Sequence, residues 1–143
     1  MPSSKWFSHK SHGPALAYEI ALSLYVDQIA WFNGPYRAAT ADITIFRDGL
    51  EARIPDGKLA VGDSGYSSSE NVSVIQENDR EEVRQFKERA RARQENINER
   101  LKRFDILDNR FRYDSKKHGV VFTAGLVLVQ YDIENGRPLL SVL

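Results

Sequence analysis

The segment from Asp79 to Phe104 constrains the fold more than any other. Phe86, Ala90, Ile97, Leu101 and Phe104 recur at spacings of 4, 7, 4 and 3, which sets them on one stripe of a helix. Most of the remaining positions are charged. A helix with a single apolar stripe is held by what it packs against, so the chain must supply a second layer. With 143 residues it has enough length for one domain with a core built around that stripe.

The second layer starts upstream. Leu16 to Leu24 reads as a strand, Asp27-Gln28 as a polar break, and Ile29 to Phe32 as a second strand, so the pair predicts a hairpin. Asn33-Gly34-Pro35 carries turn chemistry and is expected to end it. Ile43, Ile45, Phe46 and Leu50 fit a short helix, with Asp42 as its N-cap. Pro55-Asp56-Gly57 is a turn into a short strand, Lys58 to Gly62, that ends at Asp63, and Ser67 to Glu70 reads as loop. Val120 to Tyr131 is apolar nearly all round. Its length suits a buried helix, while its valines leave strand open. Asn135-Gly136-Arg137-Pro138 is a stop signal. Strands come mostly first and helices later, which predicts a mixed α/β fold in a single domain, 1–143.

Charge is balanced overall, twenty Lys and Arg against twenty Asp and Glu, so net charge points to no acidic partner. Its distribution does. Arg84 to Arg103 holds eight basic residues and three acidic ones, a local stripe that suits a phosphate backbone or, equally, a solvated helix face laced with ion pairs. The absence of cysteine excludes disulfides, thiolate zinc sites and a cysteine nucleophile. Met1 to Trp6 has no apolar run of the signal-peptide kind. The longest apolar stretch, about Gly119 to Val129, is shorter than the roughly 20 residues a membrane helix needs.

Asp63 is the best-placed acid. It stands where a short strand runs out, flanked by Gly62 and Gly65, and strand ends of α/β sheets are where ligands collect. The bland alternative is a turn aspartate that caps its own loop. Glu95 lies 32 positions later in the basic helix. Carboxylates from a strand end and a helix can converge on Mg²⁺ or Mn²⁺, which prefer oxygen ligands. Arg91 and Lys102 share the Glu95 face of the helix. Against this, Glu95 is two residues from Ile97 and points about 160° from the apolar stripe, and Glu99 is a competing candidate. Asp63-Ser64-Gly65 also looks like the nucleophile loop of chymotrypsin-like proteases, but nothing upstream matches their histidine and aspartate motifs. His9 and His12 alone make a poor metal site.

Several segments together resemble one family. They are Trp6-Phe7-Ser8-His9-Lys10 with Gly13-Pro14 and Tyr18-Glu19; Trp31 to Tyr36; Asp42 to Arg47; Gly62-Asp63-Ser64-Gly65-Tyr66; Arg89 to Asn98; and Glu134 to Pro138. Their order is similar to that of the DDE superfamily endonucleases of the Harbinger type, found in transposases. The resemblance implies an RNase H-like fold, with a mixed sheet flanked by helices, two divalent ions and an Asp, Asp, Glu ligand set. It maps the second Asp onto Asp63 and the Glu onto Glu95, with Asp42 as a supporting or ligating residue. It further implies DNA as partner, Arg91, Arg93 and Lys102 as its phosphate contacts, and a nuclear location.

One departure bears on activity. The family's first catalytic Asp lies on a central strand before the Trp-Phe-Ser-His-Lys segment, and here only five residues precede Trp6, none acidic. That strand and its ligand, with the family's helical DNA-binding domain, are expected to be missing. Two carboxylates should hold Mg²⁺ or Mn²⁺ weakly, so the chain reads as a partial nuclease domain impaired in phosphodiester cleavage and strand transfer. The competing readings are a domesticated, non-catalytic module for DNA or protein, and an interaction protein whose acids do nothing. A homo-oligomer or a separate DNA-binding partner would fit either of the first two.

Overall fold

A hairpin comes first among the described residues. The computed structural model describes residues 16–109 and 111–142. Strand β1 (Leu16–Leu22) pairs antiparallel with β2 (Ile29–Arg37), from Leu16 opposite Arg37 to Leu22 opposite Ile29. β2 runs further than expected. Asn33-Gly34-Pro35 does not end it, because the ladder shifts between Ala17 and Glu19 and continues. Gly34 absorbs that irregularity with a φ of 134°, and a Cβ there would lie 2.8 Å from the Tyr18 ring.

The Tyr18 side of the hairpin packs on helix α4 (His118–Glu134). The Tyr18 ring stacks on Phe122 with centroids 3.7 Å apart, and its hydroxyl shares a hydrogen bond with His118 Nδ1 at 2.8 Å. Val120–Tyr131 is therefore helix, not strand, although it is not buried all round. Phe122, Leu126, Val129 and Ile133 face the core at helical spacing, while Val120, Val127, Leu128 and Tyr131 are exposed. Asn135 and Gly136, the latter at a φ of 119°, end the helix as the stop signal predicts.

Helix α2 (Glu81–Lys102) crosses this layer. Ala90, Ile97 and Leu101 of the predicted stripe are buried. Helix α3 (Asp105–Asp108) follows α2 directly and drives Leu107 into the same core. There it meets α4 at Gly125, where a Cβ would stand 2.9 Å from Leu107 Cδ1. Neither α3 nor the next strand pair was predicted in full. The pair is β3 (Ala60–Val61) with β4 (Val72–Ser73), hydrogen-bonded in parallel. Helix α1 (Asp42–Asp48) lies beside them, with Phe46 edge-on to Tyr66 at 5.8 Å. Asp42 corrects one expectation. Ala41 is the N-cap, with no side-chain cap, and Asp42 is already helical and buried.

The outcome is a mixed α/β fold with two small sheets flanked by helices. Trp6 to Pro14, including His9 and His12, lie outside the described residues. Among those that are described, no helix is long and apolar enough to cross a membrane.

Candidate functional site

Among the described residues the two sheets do not join, and a cavity of about 550 Å³ lies between them. β1 forms one wall, β3 with its C-terminal turn a second, α1 a third and the exposed shoulder of α2 the fourth. Asp42, Asp63, Glu95 and Arg91 all line it, so residues up to 53 positions apart in sequence reach one space.

Each arrives differently. Asp63 follows β3 and caps the 3₁₀ turn Ser64–Tyr66, its Oδ1 accepting the Gly65 N–H at 2.9 Å. The turn-capping role and the cavity position are thus both real. Gly62, just before it, leaves room for β4: a Cβ there would lie 2.8 Å from Val72 Cγ1, so that side chain would have to shift. Asp42 enters from the first turn of α1, and is 5% exposed. The Gly65 Cβ position lies 3.0 Å from Asp63 Oδ1 and 3.9 Å from Asp42 Oδ2, so these two carboxylates flank one spot. Glu95 stays on the exposed shoulder of α2, as its angle from the stripe predicts.

Two more groups join this wall. Tyr66 has its hydroxyl pKa raised, chiefly by burial and further by the charges of Asp42, Glu19 and Asp63. It is therefore a protonated donor among three carboxylates. Glu19 was missed as a site residue. It is 7% exposed on β1, and burial pushes its carboxyl up to about 7, with the Asp42 charge adding to the shift. The Trp31 indole N–H, which donates to Oε1 at 3.2 Å, and the Leu50 backbone partly offset it. Oε2 is enclosed and has no hydrogen-bond partner. A signal existed in the sequence: Glu19 is the one charged residue of the seven in Leu16-Ala17-Tyr18-Glu19-Ile20-Ala21-Leu22. Charged side chains are seldom buried without a reason.

The basic residues divide. Arg91 and Lys102 are exposed, and Arg91 faces the cavity. Arg93 is 2% exposed, and its guanidinium donates to Leu140 O at 2.7 Å, Val26 O at 2.5 Å and Asp27 Oδ1 at 3.2 Å. It ties α2 to the hairpin turn and the C-terminal segment, and these bonds replace the phosphate contact expected of it. Lys87, also counted in the basic stripe, is likewise buried, on Val74 O at 2.7 Å and Asp79 at 2.9 Å. The stripe that looked like one electrostatic face is partly a structural one.

Among the described residues, no three His, Asp or Glu side chains form a group that could hold a metal ion. Asp42 and Asp63 fit such a role as neighbours, while Glu95 does not close the set. A family model described as DDE superfamily endonuclease matches residues 1–130. Neither the curated proteins nor the solved structures give a match.

Proposed function

The chain belongs to the DDE superfamily endonucleases, and from that premise we propose that it is a transposase-derived, Harbinger-type domain of RNase H-like ancestry. It binds DNA in the nucleus and, on the residues described, does not cut it. The observation that carries this reading is the shared cavity. Asp42, Asp63 and Glu95 line one space with Arg91 at its rim, yet among the described residues no three acids form a group that could hold a metal ion. Arg91 and Lys102 are the exposed cations placed to meet backbone phosphates. Asp63 and Glu95 mark where the family's metal-dependent phosphodiester chemistry would be sited. No step of that chemistry is assigned to Glu95 in this arrangement.

The test is a fluorescence-anisotropy titration of labelled duplex DNA at several salt concentrations, with and without chelator, beside a cleavage assay in Mn²⁺. Affinity should fall steeply with salt, persist in chelator and weaken in a double Arg91→Ala, Lys102→Ala variant. No cleavage product should form. Mn²⁺-dependent cutting that disappears in Asp63→Asn would overturn the non-cleaving reading, and salt-independent binding would overturn the DNA reading.

A second reading rests on α4. Val120, Val127, Leu128 and Tyr131 expose an apolar face, which suits a protein-binding module or a homo-oligomer. Sedimentation that is concentration-dependent, and loses that dependence in Val127→Asp, would support it. A monomer at all concentrations, with no partner bound, would remove it.

A further inference from the structure

Two strand edges face the cavity. Residues 18–22 of β1 and residues 59–63, through β3, all line it. Side chains alternate between the two faces of a strand, so consecutive residues border one space only where the strand presents its backbone edge. Among the described residues β1 pairs with β2 alone and β3 with β4 alone, so the far edge of each is the one that borders the cavity. The hydrogen bonds of β3 agree. The N–H of Ala60 donates to Asn71 O at 3.0 Å and that of Gly62 to Ser73 O at 3.1 Å, so Val61 between them turns its N–H and C=O away from β4. An unpaired edge is a template for another extended chain, and two such edges on one space select a strand as occupant. The consecutive residues on each wall correspond to roughly 17 Å of extended chain, an ordinary strand length.

We propose that the cavity accepts one extended segment of a partner polypeptide, which pairs with β1 on one side and β3 on the other and joins the two sheets. The two faces of that segment meet different surroundings. Ile20 and Leu22 pack toward the core between α2 and α4, and Ala90 of α2 lines the same space, so the segment needs apolar side chains there. Glu19, next to Ile20, belongs to the other face of β1. Its Oε1 accepts the Trp31 indole N–H, while Oε2 is enclosed without a hydrogen-bond partner. None of the ion pairs of the described residues reaches it. A lysine or arginine on the second face of the segment would give that oxygen a charged donor, the complement that a buried carboxylate requires. The occupant is therefore a strand that alternates apolar and polar residues and carries a cation on its polar face. This partner lies beyond the nuclease-family reading and does not require DNA.

The experiment titrates the full chain with a blocked peptide, Val-Thr-Val-Lys-Val-Thr-Val, following binding by calorimetry and the Val61 amide by hydrogen exchange. Val61 should exchange freely in the chain alone. The peptide should bind saturably, slow exchange at Val61 and raise the melting temperature. Glutamate in place of the lysine should weaken binding about tenfold, as the loss of one enclosed ion pair would. Glu19→Gln keeps the Trp31 acceptor, so it should fold, and it should bind the lysine and glutamate peptides alike. A peptide with proline at alternate positions lacks the N–H groups for pairing and should not bind. Absence of saturable binding, binding that leaves Val61 unprotected, equal binding of the proline peptide, or a lysine preference that persists in Glu19→Gln would each overturn the proposal. Protection of Val61 without peptide would overturn it too. Seen at every protein concentration, it would mean that the chain fills the edge itself; seen only at high ones, that a second copy does.

Discussion

Arg93→Ala separates structure from function on α2 more sharply than any other change. The side chain is 3% exposed and spans three parts of the fold, donating to Val26 O and Asp27 in the hairpin turn and to Leu140 O near the C-terminus. A hydrogen bond to a charged group contributes about 1.5–3 kcal/mol. Truncating one partner of a buried charged pair costs roughly 3–5 kcal/mol. Two features lower that figure here. Val26 and Leu140 are 59% and 51% exposed, so water can reach their carbonyl oxygens once the guanidinium is gone, and Asp27 is 47% exposed. The expected loss is therefore about 2–3 kcal/mol, a fall in melting temperature of roughly 6–12 °C for a chain of this size. Arg93→Lys keeps the charge but not the planar fork, and should recover less than half of it. Melting followed by circular dichroism reads the loss, and DNA anisotropy of the folded protein reads the alternative. Arg91→Ala should do the reverse, leaving the melt in place and weakening DNA binding. Should Arg93→Ala melt within about 2 °C of wild type and lose as much DNA affinity as Arg91→Ala, the structural assignment of this arginine is refuted.

Two further outcomes follow from the core. Phe122 is fully buried and stacked on Tyr18, so Phe122→Ala should cost about 3–5 kcal/mol in a denaturant titration, and a loss under about 1 kcal/mol would mean the hairpin does not dock on α4 as described. His118 is 2% exposed and its pKa is lowered from 6.5 by burial. A base with a depressed folded pKa stabilises above its unfolded pKa and loses that contribution as pH falls below about 6.5, at no more than about 1.4 kcal/mol per pH unit. Glu19, raised to about 7, has the opposite sign, because its buried carboxyl takes up a proton more readily in the folded state as pH falls. The measurement is thus the difference between wild type and His118→Gln, in chelator, between pH 7.5 and 5 (about the window set by these shifts). Wild type should lose stability relative to the variant as pH falls, and parallel curves would exclude a buried neutral imidazole at this position.

What the sequence made legible is what has a period or a punctuation mark. The hairpin showed in two apolar runs around Asp27-Gln28, α2 in its stripe, and the end of α4 in Asn135-Gly136. β4 and α3 span two and four residues, shorter than any period can register, and exist because β3 and the α2–α4 layer supply their partners. The site residues divide along the same line. Asp63 sits at a strand end with glycines around it, so local pattern places it. Arg93 and Lys87 were read as surface because composition assigns basic residues to water. Counting by helical turn from buried Ile97 and Ala90 puts Arg93 four positions before the one and Lys87 three before the other, on the buried face. Glu19 is the clearest case. Strand alternation turns it away from the Tyr18 face that packs on α4, and for an ordinary two-layer sheet that would mean water. Only the three-dimensional placement of α1, β3 and Tyr66 against that second face makes it an enclosed carboxylate beside Asp42. An acid buried on the far side of a strand is a statement about which layer covers it, and that layer is set by contacts between segments 23 or more residues apart in sequence, beyond the reach of any local pattern.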